Sequence, residues 1–244
     1  MFTWTIATEF AQQYTSYALS IFSAYIPCVY GIQYLMRDKK PLPLEKPLMI
    51  WNSLLSFFSF TGFCLIVNDT SDMNFMDRIL DFQTITTGTS GIVIFIFNLS
   101  KILELMDTLF IVFRKKPLLI LHTYHHLVTG IYSWFTMLYP TPLGLWMSTI
   151  NLGVHSIMYG YYAANYFKIK IMNPKYITII QIFQMIWGII INFIYICNVS
   201  TITNICWFHF IYGTIMYGSY LYLFCKFYNR RYNKSEQNYI KKNN

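Results

Sequence analysis

With 244 residues, 55% hydrophobic and 20% aromatic against only 11% charged, the chain lies far from the roughly 25% charged composition of soluble domains and reads as an integral membrane protein. A net charge of +8 would suit a nucleic-acid partner, but the basic residues gather at alternate helix ends, which excludes nucleic acid in favour of the positive-inside pattern of a multi-pass protein. Five scattered cysteines without CxxC spacing give neither a disulfide framework nor a thiolate metal site and read as packing residues.

Apolar runs, each able to span a hydrocarbon core ~30 Å thick, occupy 14–36, 48–67, 84–113, 117–139, 142–166, 176–197 and 204–227. The expectation is a single all-α domain over 1–244, a polytopic membrane protein with seven transmembrane helices. The first run carries no charge between Phe10 and Met36 and reads as a peripheral, lipid-facing helix. It lacks the basic leader and small-residue cleavage site of a signal peptide. Three prolines in 37–47 stop it, and an acidic loop, 68–81, follows the second run.

Arg37, Lys39, Lys40 and Lys46 follow the first run, Arg114, Lys115 and Lys116 the third, and Lys168, Lys170 and Lys175 the fifth. A basic tail, 228–244, follows the seventh, whereas Arg78 alone lies in the opposite connections. This alternation predicts a lumenal or external N-terminus and a cytosolic C-terminus. The sequons at Asn68 and Asn198 then fall at lumenal helix ends.

The third run is unusual in carrying Lys101, Glu104, Asp107 and Thr108, three charges that lipid would penalise by several kcal/mol unless they pair or face a polar interior. Lys101 is expected to pair with Glu104. The fourth holds His122, His125 and His126, which share one helical face. On the fifth, Asn151, His155, Tyr159 and Tyr162 form a stripe, and on the sixth Thr178, Gln181 and Gln184 form another. His209, near the start of the seventh, reads as a packing histidine.

Counted from the expected cytosolic helix ends, Asp107, His122, His125, Gln181 and Gln184 lie roughly 8–15 Å deep and His155 about 17 Å. Four helices thus offer polar groups at similar depth, which points to one cavity with a basic rim above a wall of Ile, Phe, Leu and Met. Such a cavity suits an amphiphile with an anionic head and an apolar tail. Two chemistries fit. His122, His125, His126 and His155 suffice for one Zn²⁺ or Fe²⁺, though not for a di-iron site, making a metal-dependent lipid-modifying enzyme; or imidazole acts on an acyl group as nucleophile or base. A seven-helix transporter would also place charges inside the membrane, but along a path rather than at one depth.

Four motifs in order then carry a resemblance over about two thirds of the chain: KxxExxDT (Lys101, Glu104, Asp107, Thr108), HxxHH (His122, His125, His126), NxxxHxxMYxYY (Asn151, His155, Met158, Tyr159, Tyr161, Tyr162) and TxxQxxQ (Thr178, Gln181, Gln184). The chain resembles the ELO family of very-long-chain fatty acid elongases, with Phe113 and Thr123 as departures, and looks closer to the saturated and monounsaturated acyl-CoA type.

The resemblance implies a 3-oxoacyl-CoA synthase, an acyltransferase of the endoplasmic reticulum that joins acyl-CoA to malonyl-CoA without metal or other cofactor. It implies seven helices, six of them enclosing a narrow acyl-CoA tunnel. By this likeness His125 is the acyl carrier within a catalytic set of His122, His125, His126 and His155. Lys101, Glu104, Asp107, Asn151, Tyr159, Tyr162, Gln181 and Gln184 form a supporting polar shell, and Arg114, Lys115, Lys116 and Lys175 are candidates for the CoA phosphates. Expected partners are membrane lipid and the reductase and dehydratase of the elongation cycle, and a homodimer is compatible. Lys241 and Lys242 resemble a dilysine retrieval signal.

Overall fold

The structure, a computed structural model, describes residues 2–233. In chain order the helices are α1 (Trp4–Leu35), α2 (Glu45–Asp69), the short α3 (Asp77–Leu80) and α4 (Phe82–Thr86), α5 (Gly88–Leu103), α6 (Met106–Phe113), α7 (Ile120–Leu138), α8 (Leu143–Tyr166), α9 (Pro174–Asn198) and α10 (Asn204–Tyr232). Among the described residues there is no strand, only an isolated bridge between Thr3 and Thr87. An apolar chain in lipid must satisfy its backbone internally, and helices do so. By length and composition α1, α2 and α9 are able to cross a membrane. Outer faces carry large exposed apolar side chains such as Phe57, Ile120, Phe183 and Ile215, as a lipid-facing surface requires.

The 84–113 run is not one continuous helix. Gly88, at φ +64°, separates α4 from α5. At 103–106 the chain tightens into i→i+3 bonds, Leu105 N–H to Ile102 O at 3.2 Å and Asp107 N–H to Glu104 O at 3.1 Å. Residues three apart eclipse in such a turn, so Glu104 and Asp107 are aimed to the same side. The first helix starts at Trp4 rather than near 14, because Trp4 Nε1–H donates to Met137 O at 3.0 Å and anchors the end. It is not wholly lipid-facing: Ala7, Ala11, Ala18, Phe22, Tyr25 and Val29 are buried along one side. Gly130 admits Phe22 there, since a Cβ would come 2.7 Å from that ring. At the other end α10 continues to Tyr232, so the first five residues of the 228–244 tail are helical, while Lys241 and Lys242 lie outside the described residues. Cys28, Cys64 and Cys197 are exposed rather than packed.

Two helix ends at the basic side share a device. After α6, Lys116 N–H bonds Ile111 O and Lys115 N–H bonds Val112 O; after α8, Ile169 N–H bonds Ala164 O and Lys168 N–H bonds Asn165 O. Both are Schellman closures, with Lys115 (φ 54°) and Lys168 (φ 58°) in the left-handed position that glycine usually takes.

Candidate active site

The histidines of α7 and α8 face α5 and α6 across the interior, and most are held by groups from other helices. Lys101, 3% exposed, donates to Glu104 Oε1 at 2.7 Å and to Asn151 Oδ1 at 2.9 Å, with its ammonium 4.1 Å above the Phe97 ring. A buried charge is tolerated only with such compensation. With Asn151 Oδ1 occupied, its Nδ2 is the group that faces His155 Nε2, at 3.3 Å. That nitrogen therefore accepts, and the His155 proton sits on Nδ1, which points at Glu104 Oε2 3.8 Å away.

Asp107 is fixed from two sides. Trp51 Nε1–H of α2 donates to its Oδ1 at 2.5 Å and the Tyr159 hydroxyl of α8 to its Oδ2 at 2.7 Å, with His126 Nε2 4.0 Å away. Thr108 Oγ1 stands 3.0 Å from His122 Nε2 and 2.6 Å from the Tyr25 hydroxyl, linking α1 to the cluster. The His122 and His126 ring centres are 4.3 Å apart and those of His125 and His126 5.4 Å.

His125 differs. Among the described residues its ring nitrogens make no hydrogen bond; only its backbone carbonyl is engaged, accepting from the Tyr220 hydroxyl at 3.2 Å. Its ring lies beside two cavities. The outer one, about 750 Å³, contains His122, His126, His155, Asp107, Tyr159 and Gln181. The inner one, about 60 Å³, runs between α5, α7, α8 and α10 towards Trp4, Pro140 and Thr141. His125, Asn151, Gln184 and Met185 line both.

The remaining sequence-selected residues divide. Lys101 and Glu104 sit behind the cavity wall. Gln181 Nε2 contacts Met158 Sδ at 3.3 Å, and Tyr162, about half exposed, stands at the outer cavity's mouth. Arg114 and Lys116 reach the outer cavity, joined by Lys168, a basic residue outside the four expected at the CoA phosphates. Lys115 instead donates to the carbonyls of Arg37 and Lys39, and Lys175 lies over the Tyr228 ring. Among the described residues no three His, Cys, Asp or Glu converge as a metal set. His209 is a packing residue, buried between the Tyr132 hydroxyl (3.0 Å) and Tyr139 O (2.9 Å).

The inner wall is not the plain aliphatic surface expected. Thr129, Tyr132, Ser133, Thr136, Ser148 and Asn98 line it along with methionines. Thr136 and Ser148 donate their protons to Ser133 O and Gly144 O of their own helices, so residues that look polar in sequence pack in an apolar setting. Trp51 was missed because it is a single polar ring on an otherwise unmarked helix, and Tyr25 because nothing in sequence separates it from the four other tyrosines of α1. Ser133 shares a face with the histidines, two turns beyond His125 and His126, which is a signal that helical spacing did contain.

A family model described as ELO, the GNS1/SUR4 family, matches residues 10–239. The chain belongs to the ELO family. Among its relatives, very long chain fatty acid elongase 6 of Mus musculus is 34% identical over 224 residues, covering 87% of this chain and 83% of that protein. Very long chain fatty acid elongase 3 of Mus musculus is 33% identical over 230 residues (91% and 85%), and putative fatty acid elongase 3 of Caenorhabditis elegans 31% over 245 (96% and 76%). In this ELO protein the four motifs named from sequence all fall on the helices that surround the two cavities or, for Glu104, on the turn between α5 and α6.

Proposed function

We propose that this ELO protein is a fatty acid elongase of the 3-oxoacyl-CoA synthase type, which lengthens an acyl-CoA by two carbons taken from malonyl-CoA. The observation that carries the mechanism is His125, an imidazole held by no hydrogen bond at the junction of a wide polar cavity and a narrow inner one. The first carbons of the acyl tail enter the inner cavity, which must widen to take a long chain, and the CoA portion fills the outer one, its phosphates facing Arg114, Lys116 and Lys168 at the rim. The His125 imidazole attacks the thioester carbonyl; a C–N bond forms, the C–S bond breaks, and CoA leaves after taking a proton. Malonyl-CoA replaces it and loses CO₂, and the resulting enolate carbon bonds to the acyl carbon as the C–N bond breaks. This yields 3-oxoacyl-CoA, and the departing imidazolate takes up one proton from solvent to replace the one that CoA carried away.

His155, oriented by Asn151, and His126, beside Asp107, are placed to hold the malonyl group or move protons. Gln184, which lines both cavities, is the amide available to a developing oxyanion. Seven spans follow if α5 and α6 together make the third, with the basic end cytosolic, in the endoplasmic reticulum membrane. A reductase and a dehydratase then complete each cycle.

The test uses the purified full chain and labelled acyl-CoA without malonyl-CoA. Wild type is expected to accumulate covalent acyl-enzyme and release one CoA per site, and His125→Ala to do neither. Acyl-enzyme undiminished in His125→Ala removes the nucleophile assignment. Failure of wild type to make 3-oxoacyl-CoA from both substrates removes the elongase assignment.

A further inference from the structure

Two side chains lining the inner cavity, Asn98 and Thr141, each carry a buried polar atom with no hydrogen-bond partner among the described residues, and the carboxamide of Asn98 is the larger and more versatile of the two groups. Asn98 on α5 is 5% exposed and lines this cavity, yet its carboxamide Nδ2 has no hydrogen-bond partner among the described residues. A buried amide left unpaired costs much of its hydration, and native interiors seldom retain one without a use. It stands three residues from Lys101, so about 4.5 Å further from the basic end along the helix axis. It shares the inner cavity with His125, on the proposed route the space that takes the acyl chain.

Nearby groups define what would answer it. Thr136 and Ser148, on α7 and α8, already donate their protons to backbone carbonyls of their own helices. Their oxygens can therefore only accept at the cavity, while the Asn98 carboxamide offers both a donor and an acceptor. A hydroxyl donates and accepts at once, so it pairs with the carboxamide in either of its two orientations and with a hydroxyl oxygen beside it. A keto or ether oxygen, lacking a proton, satisfies fewer of these groups, and a plain methylene satisfies none.

We propose that Asn98 forms an oxygen-recognising station in the acyl pocket, and that the protein accepts acyl-CoAs carrying a hydroxyl on the chain at the depth of that station. This rests on the elongase reading. It adds a substrate class, hydroxylated acyl chains, and makes Asn98 the residue that selects it.

The experiment offers the wild-type full chain a saturated acyl-CoA and a series of equal length with one hydroxyl moved stepwise along the chain. A maximum in kcat/KM at one position, within about threefold of the saturated chain, is expected. In Asn98→Leu, which removes the amide at similar volume, the hydroxylated-to-saturated ratio at that position should fall about tenfold or more, because a polar substrate group then loses its partner. A profile uniformly low at every hydroxyl position in wild type overturns the proposal without needing the variant. An Asn98→Leu ratio equal to wild type overturns it too, and leaves Asn98 as the host of a buried water. If no substrate is elongated, the elongase reading itself falls. Thermal shifts with the same acyl-CoAs then decide the station, since equal shifts for hydroxylated and saturated chains refute it.

Discussion

The two cavities that meet at His125 differ in how far their polar side chains rely on other helices. Around the outer one, polar side chains are satisfied by other helices: Trp51 and Tyr159 hold Asp107, Lys101 bridges Glu104 and Asn151, and Thr108 joins Tyr25 to His122. Around the inner one, Thr136 and Ser148 are satisfied within their own helices, while Thr129 with Tyr220 and Tyr132 with His209 still pair across helices. Groups that depend on partners across the bundle tie chemistry to tertiary structure, whereas self-satisfied groups can be exchanged with little effect beyond the shape and chemistry of the wall. Changes near the outer cavity should therefore damage turnover or folding, and changes near the inner one should alter which chain is used.

The largest effect expected is at the junction itself, where His125→Ala should lower 3-oxoacyl-CoA formation by about 10³-fold or more while leaving the fold intact by thermal denaturation in detergent. Next comes Lys101→Met, which strands Glu104 as an uncompensated buried carboxylate and should destabilise by about 3–5 kcal/mol. Adding Glu104→Gln should restore much of that, and if it does not, the pair is not the main support of this wall. Asp107→Asn keeps the shape but gives up charge-assisted bonds from Trp51 and Tyr159, at a cost of about 1.5–3 kcal/mol by the same measurement.

On the inner side, Trp4→Phe removes the indole N–H donated to Met137 O and trims the far end of the small cavity. It should cost only about 1 kcal/mol and shift the product distribution towards longer chains, read by mass spectrometry. Unchanged chain lengths would mean that the inner cavity does not measure the tail.

The smallest effect lies away from both cavities. Burial works against ionisation of Asp81, but hydrogen bonds from the Thr84 hydroxyl and from the backbone of Thr84 and Gln83 outweigh it and hold the carboxyl below its ordinary value. The capping contribution to α4 is then complete above the ordinary carboxylate range and is lost as pH falls through the depressed value. Amide exchange over Phe82–Thr86 should rise only in acid, and Asp81→Ala should raise it at neutral pH by the loss of a cap of about 1 kcal/mol.

Much of this comparison was legible in the sequence on one side only. His122, His125 and His126, the stripe from Asn151 to Tyr162, and the Lys101–Glu104 pair announced themselves because polar residues in long apolar runs recur at helical spacing. The partners that hold them did not. Tyr25 is one of five tyrosines on α1 and Trp51 stands alone on α2, and the contacts that matter span 83 and 56 residues. The break between α5 and α6 was hidden for a related reason: an apolar run shows no seam when a tight turn, set by side chains facing inward, replaces one turn of α-helix. The inner hydroxyls were visible as letters but not as a lining, since helical periodicity reports which face is shared and not what that face encloses.

The anchoring of α1 at both ends bears on how the protein is made. Trp4 reaches Met137 and Tyr25 reaches Thr108, so α1 finds these permanent partners only after synthesis has run 133 residues past Trp4 and 83 past Tyr25. Until then it must wait in the bilayer with those polar atoms turned to interim neighbours, and its docking closes one side of the reaction chamber as a late event of biogenesis.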